Sequence, residues 1–194
     1  MAGAHHAREV RMRLLSKNEI GALVRCLSET SQFISKLRDR EEIASYVQYP
    51  KIPPALSESL AVFAIRENKL LASHGPFKAV KLGGRVADII ATTDSGKTFR
   101  IETKAAGTEE FATFGPRDYE ADFLLWMLFG DSIRSGCGGK CTVLVCPNPK
   151  DHLPWRKDRV TVPQLEADWD GNIEKTFLDI PVQLSGSTNE DEFI

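Results

Sequence analysis

The sequence has no long apolar run, little cysteine and almost no net charge, and each shortage excludes a class of protein. No apolar run approaches the roughly 20 residues that span a bilayer. The first residues, MAGAHHAREVRMRLL, contain no apolar stretch of the signal-peptide kind, so we expect no export. Four cysteines in 194 residues are typical of reduced thiols rather than of a disulfide scaffold. We therefore expect a soluble cytoplasmic protein that makes no membrane contact.

The net charge of −2 does not by itself indicate a nucleic-acid partner, but the charges are unevenly distributed. Residues 1–40 contain eight basic and four acidic residues, whereas the chain from 165 onward contains eight acidic residues and one lysine. A basic segment and an acidic tail are compatible with a phosphate-binding cleft, because local potential matters more than net charge. Two ordinarily solvated surfaces explain the same distribution equally well.

What is present is enough apolar material for one core, with 42% hydrophobic and 27% charged residues. Apolar spacing predicts two helices within 16–47, the first opened by a capping box of Ser16 and Glu19 and the second beginning near residue 30. Three prolines then mark the clearest boundary in the chain. We divide the chain there into a helical N-terminal segment, 1–50, for DNA contact or dimerisation, and a catalytic domain, 51–194, with an acidic C-terminal tail.

The second part alternates between helical and strand patterns. The predicted elements are a helix at 55–71, strands at 77–82, 86–92 and 98–104, a helix at 117–130 and a strand at 141–146. This order, α-β-β-β-α-β, predicts an α/β (α+β) fold with a central mixed β-sheet flanked by helices. Glu67 falls in the middle of the apolar stripe of the first of these helices, where a carboxylate is costly unless it is paired or bound.

The two strands joined by Asp94-Ser95-Gly96 carry the most informative pattern. A three-residue loop with glycine in the last position is a common hairpin connection. If Thr93 pairs with Lys97, Asp88 lies directly opposite Glu102 on the same face of the sheet, with Cβ atoms about 4.5–5.5 Å apart. Lys104 follows on that face, and the other face is a candidate core face made of Ala87, Ile89, Ala91, Phe99, Ile101 and Thr103.

Two carboxylates this close repel each other unless a cation lies between them. Mg²⁺ prefers carboxylate oxygens and keeps several waters, as cleavage of a phosphodiester requires. Asp88 and Glu102 would hold it, and Lys104 would orient the attacking water or screen developing charge. The alternative is a surface cluster of cross-strand charges in which Lys104 neutralises Glu102.

The arrangement of VADII followed by RIETK resembles the signature of the PD-(D/E)XK nuclease superfamily. With the element order, the resemblance covers about residues 55–147, although Ala87 stands where the family name has proline. It implies a restriction-endonuclease-like core in which Asp88 and Glu102 hold the metal and Lys104 assists water. Thr103 is included in the metal-binding segment, and Glu67 is the position that matches a further acid from the first helix.

Many relatives of about this size are type II restriction endonucleases. The resemblance therefore implies a magnesium-dependent endonuclease of double-stranded DNA, and two equivalent sites in a homodimer would cut both strands. A junction-resolvase-like repair nuclease and a non-catalytic nucleic-acid-binding module remain alternatives. The recognition sequence, the cut position, duplex or branched substrate and the oligomeric state are left open.

Three further patterns in the sequence each have a functional and a structural interpretation. Gly96-Lys97-Thr98 ends like a phosphate-binding loop, but Ala91 replaces the first glycine and a strand follows where that motif needs a helix. The four cysteines are similar in distribution to those of iron–sulfur nucleases of the same superfamily, but their spacing favours buried free thiols. These cysteines are Cys26, Cys137, Cys141 and Cys146.

The loop 148–159 combines basic residues with a tryptophan, which suits contact with phosphates and with a base or sugar. An ordinary solvated loop is the alternative. The candidate DNA-binding residues are Lys150, Trp155, Arg156, Lys157 and Arg159.

Overall fold

The protein is described here from a computed structural model, which covers residues 13–39, 47–107, 111–135, 139–153, 159–168 and 172–181. The helices are α1 (Lys17–Arg38), α2 (Pro54–Arg66), α3 (Pro116–Glu120), α4 (Gly130–Ser135), α5 (Pro149–His152) and α6 (Val162–Asp168), with a 3-10 turn at Ala72–His74. The strands are β1 (Phe77–Leu82), β2 (Ile89–Thr93), β3 (Thr98–Ala106), β4 (Phe111–Ala112), β5 (Phe123–Leu128), β6 (Lys140–Pro147), β7 (Val160–Thr161) and β8 (Glu174–Asp179).

Helix α1 begins at the predicted capping box. The Glu19 backbone N–H donates to Ser16 Oγ at 3.2 Å, and the Ser16 N–H donates to Glu19 Oε2 at 2.8 Å. The predicted break near residue 30 is wrong, because α1 continues to Arg38. The hydroxyls there do not end the helix: Ser28 donates to the Ile133 carbonyl and Thr30 to the Cys26 carbonyl. The remainder of the second predicted helix, 40–46, lies outside the described residues.

Helix α2 is shorter than predicted. It starts with Pro54 in the first turn, where the missing N–H costs nothing, and it ends at Arg66 rather than near 71. Glu67 is its C-cap, and Asn68 then adopts a left-handed conformation with φ 54°, which a continuing helix does not allow. Nearly every residue of α2 from Leu56 onward is buried, because the helix packs against β1 and β3.

The main sheet contains six strands in the order β1-β2-β3-β5-β6-β8. All neighbouring strands are antiparallel except β3 and β5, which are parallel and pair Ile101 with Phe123 and Ala106 with Leu128. Strands β4 and β7 form a separate antiparallel pair. The segment 107–122, which carries β4 and α3, connects the two parallel strands.

The predicted helix at 117–130 is wrong. Helix α3 ends at Glu120, and the apolar run FLLWML forms strand β5, whose six residues are all buried. A strand buried on both faces is apolar at every position, so a short run of this kind does not distinguish strand from helix by periodicity.

Helices cover both faces of the sheet. On one face, Leu125 and Met127 belong to a hydrophobic cluster with residues of α1 and α2. On the other, Leu124 and Trp126 belong to a cluster that includes Leu165 of α6. The prediction of a mixed sheet flanked by helices is confirmed at this level. None of the helices in the described segments is long and apolar enough to cross a membrane.

Candidate functional site

The hairpin of β2 and β3 has the predicted register. The Thr93 N–H donates to the Lys97 carbonyl at 2.9 Å, and Gly96 has a φ of +87°. Ile89 pairs with Ile101, so Asp88, just before β2, lies at the level of Glu102. The pairing of β2 with β3 thus brings the Asp88 and Glu102 carboxylates together, as the hairpin pattern predicted.

A close contact with the end of β1 fixes the backbone at Asp88. The Gly83 N–H, at the end of β1, donates to the Asp88 carbonyl at 2.9 Å. A Cβ added to Gly83 would lie 2.5 Å from the Ala87 carbonyl oxygen. The Asp88 side chain is held as well, because Oδ2 accepts from the Thr103 N–H at 2.9 Å and from the Thr103 hydroxyl at 3.1 Å. Thr103 is therefore a support for Asp88 in this structure.

These residues line a cleft of about 690 Å³ between the start of α2, the hairpin and the segment that leads into α3. The cleft collects all three predicted catalytic residues together with three charged residues that the sequence did not single out. Its charged lining consists of Glu58, Asp88, Glu102, Lys104, Arg117 and Asp118.

Arg117 pairs with both predicted acids. Its Nη2 atom lies 3.2 Å from Asp88 Oδ1 and 2.9 Å from Glu102 Oε1. The Glu102 side chain is almost fully buried, whereas that of Arg117 is half exposed. Burial and the neighbouring Asp88 carboxylate raise the pKa of Glu102, and Arg117 opposes this rise.

The surface-cluster alternative requires an ion pair between Lys104 and Glu102, and the structure gives Lys104 a different partner. Its Nζ lies 3.0 Å from Oδ2 of Asp118, which is buried. The same oxygen accepts from the Gly115 N–H at 2.6 Å, so Asp118 is fixed by its own helix start. A fixed, buried carboxylate therefore determines the position of the Lys104 ammonium group.

Glu58 of α2 is the acid that the sequence analysis missed. It is 5% exposed, and its Oε2 has no hydrogen-bond partner among the described residues. Burial, with the charges of Asp88 and Glu102, raises the pKa of Glu58 to about 7. Ala61, Val62 and Ile65 lie on the same face of α2 as Glu58. This apolar spacing is the feature of the sequence that could have predicted that position 58 is buried.

Glu67 does not lie in this cleft. As the C-cap of α2 it is more than a third exposed and pairs with Lys17 at 2.9 Å and Lys69 at 2.8 Å. Hydrogen bonds from Lys69 and Lys17 lower the pKa of Glu67. The prediction that Glu67 lies in the middle of an apolar helix stripe is wrong, because α2 ends one residue before it, and its partners are two lysines.

The proposed DNA-contact loop is described only at its two ends. Lys150 is exposed in α5, and Arg159 is exposed just before β7. Trp155, Arg156 and Lys157 lie outside the described residues.

The prediction of buried free thiols is confirmed for two of the four cysteines and is wrong for Cys26. Cys141 and Cys146 are buried free thiols on opposite faces of β6, whereas Cys26 is exposed. Burial raises the pKa of both buried thiols. Cys137 lies outside the described residues. Gly96-Lys97-Thr98 is a hairpin turn followed by β3, with no helix to bind a phosphate.

Within the described segments, no three His, Cys, Asp or Glu side chains stand close enough to bind a metal ion as they are. The donors nevertheless suit a hard cation. Asp88 Oδ1 and Glu102 Oε1 converge on one nitrogen of Arg117, and the buried Oε2 of Glu58 has no hydrogen-bond partner among the described residues. Carboxylate oxygens are the ligands that Mg²⁺ prefers.

No protein-family model matches the chain, and neither a curated protein nor a solved structure shows significant similarity to it. The function is therefore inferred from the geometry of the cleft and from the sequence motif.

Proposed function

We propose that the protein is a magnesium-dependent DNA endonuclease of the PD-(D/E)XK type. The observation that carries the proposal is the meeting of Asp88, Glu102 and Lys104 in one cleft, through a hairpin register that a one-residue shift would destroy. A surface charge cluster would not require Glu102 to be buried or Lys104 to have a separate buried partner.

The surroundings of the hairpin support the proposal. Helix α2 precedes three consecutive antiparallel strands, and β3 then pairs in parallel with β5 after α3. This succession resembles the core order expected for the family. Glu58 comes from the helix before the strands, so we assign to Glu58 the role of the further acid that the motif had suggested for Glu67.

The charged residues divide the chemical work. Asp88 and Glu102 would hold the cation, with Glu58 as a third oxygen donor. Bound there, Mg²⁺ would polarise the scissile phosphate and make a coordinated water more acidic. Lys104, held by Asp118, would orient the attacking water and stabilise charge that develops on the phosphate. Thr103 would keep Asp88 in place.

The substrate we propose is double-stranded DNA, and the most specific form of the proposal is a type II restriction enzyme. Cutting both strands then requires two sites, which a homodimer with twofold symmetry provides. Lys150 and Arg159, at the ends of the 148–159 loop, are candidate phosphate contacts.

The proposal is tested by incubating the purified protein with long mixed-sequence DNA in Mg²⁺. Discrete fragments would support a restriction enzyme, and a smear would support a nonspecific nuclease. Cleavage confined to branched DNA would support a resolvase. If no substrate is cleaved, the endonuclease proposal is rejected and the non-catalytic nucleic-acid-binding module is supported.

Three variants make the test specific to the cleft. Asp88→Asn and Glu102→Gln remove a charge with little change of shape, and each is expected to abolish cleavage. Asp94→Asn is the matched control, because Asp94 is an exposed carboxylate at the opposite end of the same hairpin. Cleavage that survives in both Asp88→Asn and Glu102→Gln would show that another site produces it.

A further inference from the structure

Arg117 places a positive charge at the point where the cation of the proposed reaction would have to bind. Its Nη2 atom lies within 3.2 Å of an oxygen of Asp88 and within 2.9 Å of an oxygen of Glu102. One donor shared by the Asp88 and Glu102 carboxylates marks the position where their negative potentials overlap. The arginine and a metal ion bound to both oxygens would compete for that position.

The two cations of the cleft are held very differently. Lys104 pairs with Asp118, whose side chain is 3% exposed and is also fixed by the Gly115 N–H. The Arg117 side chain is 51% exposed, and the ion pairs described for it are the two with Asp88 and Glu102. Lys104 is therefore held by a fixed partner, whereas half of the Arg117 side chain faces solvent.

We propose that Arg117 is a displaceable internal counter-ion, which neutralises Asp88 and Glu102 in the metal-free protein and moves to a substrate phosphate when Mg²⁺ binds. The inference rests on the proposed function and adds a residue and a conformational step to it. Arg117 would be a substrate-binding residue in the loaded state and a competitor of the metal in the empty state.

The chemistry of the two cations requires the exchange. Mg²⁺ binds oxygen at about 2.0–2.1 Å and accepts only near-octahedral geometry. A guanidinium group hydrogen-bonded to the same two oxygens would block that approach. Once released, the planar fork of an arginine matches the oxygens of a phosphate better than a lysine does. Arg117 adjoins Asp118 in α3, so its release would place it beside the cleft that holds the substrate.

The test measures metal binding without DNA and without catalysis. Free Mn²⁺, titrated into metal-free protein, is followed by its electron paramagnetic resonance signal. Arg117→Gln and Arg117→Ala remove the competing charge and should bind Mn²⁺ roughly tenfold more tightly than the wild type. Arg117→Lys keeps the charge and should stay near the wild type. Lys175→Gln is the matched control, because Lys175 also pairs with a carboxylate, that of Glu166, but lies exposed on β8 outside the cleft.

A second measurement tests where the arginine goes. In Ca²⁺, which accepts the same oxygen ligands, Arg117→Gln should bind duplex DNA less tightly, and its salt dependence should fall by about one unit of slope. Lys175→Gln should match the wild type in both respects. Unchanged DNA affinity and salt slope in Arg117→Gln would overturn the phosphate role.

The outcomes separate this inference from the function on which it rests. If the wild type binds Mn²⁺, Asp88→Asn loses it and Arg117→Gln is unchanged or weaker, the metal site stands and the counter-ion role of Arg117 is overturned. If neither the wild type nor Arg117→Gln binds Mn²⁺, both proposals fall. Circular dichroism of each variant confirms that the comparison is made on folded protein, and Arg117→Gln serves if Arg117→Ala does not fold.

Discussion

At the scale of single residues, the carboxylates of the cleft differ in what they contact. Glu102 is buried against Arg117, and Asp118 is buried against Lys104. Asp88 accepts two hydrogen bonds from Thr103. Glu58 is buried with an oxygen that has no partner among the described residues. These surroundings predict different responses to pH and to substitution.

The first prediction concerns the stability of metal-free protein. The pKa of Glu58 is raised from 4.5 to about 7, so the folded protein holds this proton more tightly than the unfolded chain does. The free energy of unfolding should therefore fall as the pH rises from about 4.5 to 7. Glu58→Gln removes this loss and should be more stable than the wild type at pH 8 by about 1–3 kcal/mol.

Urea denaturation at pH 5 and pH 8, with a chelator that keeps the protein metal-free, measures the free energy of unfolding of wild type and Glu58→Gln. Glu67→Gln is a control of opposite sign, because the lysines beside Glu67 lower its pKa and favour its charged form. Its loss should cost a little stability at neutral pH. An equal pH dependence in wild type and Glu58→Gln would contradict the position assigned to Glu58.

The second prediction concerns Lys104. Lys104→Ala should lower the single-turnover cleavage rate by a factor of roughly 10²–10³, because it removes charge stabilisation in the transition state. DNA affinity in Ca²⁺ should change little. Lys150→Ala, on the exposed surface of α5, should show the reverse: weaker binding, and normal cleavage once DNA is saturating. If Lys104→Ala loses affinity and keeps its rate, the lysine is only a phosphate contact.

At the scale of elements, the hairpin was predictable and β5 was not. The turn residues and the two-residue period of the strands are local, so they determine which residues face Glu102. The run FLLWML is apolar at every position, and only its two covered faces in the folded sheet make it a strand.

The missed site residues have the same explanation. Glu58 reaches the cleft because α2 docks on the sheet, and Arg117 and Asp118 reach it because the segment 107–122 crosses between parallel strands. The local sequence shows at most that position 58 is buried, and it does not specify that Glu58, Arg117 or Asp118 reaches the cleft. The residues whose proximity was predicted, Asp88, Glu102 and Lys104, all come from one hairpin.

The third prediction concerns the end of β1. Gly83→Ala should lower stability by roughly 1–3 kcal/mol and should also reduce cleavage, because the new Cβ would push the backbone at Ala87 and shift Asp88. Gly84→Ala is the neighbouring control: Gly84 has a φ of +67°, and a Cβ added to it would meet no atom within 4 Å. It should cost stability through backbone strain and leave the cleavage rate of folded protein unchanged. Equal cleavage by both variants would show that the close approach at Gly83 does not position Asp88.

At the scale of the whole molecule, the cleft joins elements from distant parts of the chain, so a ligand bound there should stabilise the entire fold. The fourth prediction is that Mg²⁺ raises the melting temperature of metal-free protein by several degrees. A hundredfold excess over the dissociation constant contributes about 2.7 kcal/mol. Asp88→Asn and Glu102→Gln should lose the rise, and Asp94→Asn should keep it. A rise of the same size in all variants would place the cation elsewhere.

The parallel pairing of β3 and β5 has a consequence for the lengths that this chain can tolerate. A parallel pair needs a connection of a dozen or more residues, and 107–122 is both that connection and the source of Arg117 and Asp118. The turn 94–96 joins antiparallel strands at the end of the hairpin away from Asp88, so insertions there leave the cleft intact. A deletion that removes α3 and leaves fewer than about a dozen residues in 107–122 would break the strand pair and remove the partners of Glu102 and Lys104 in one event.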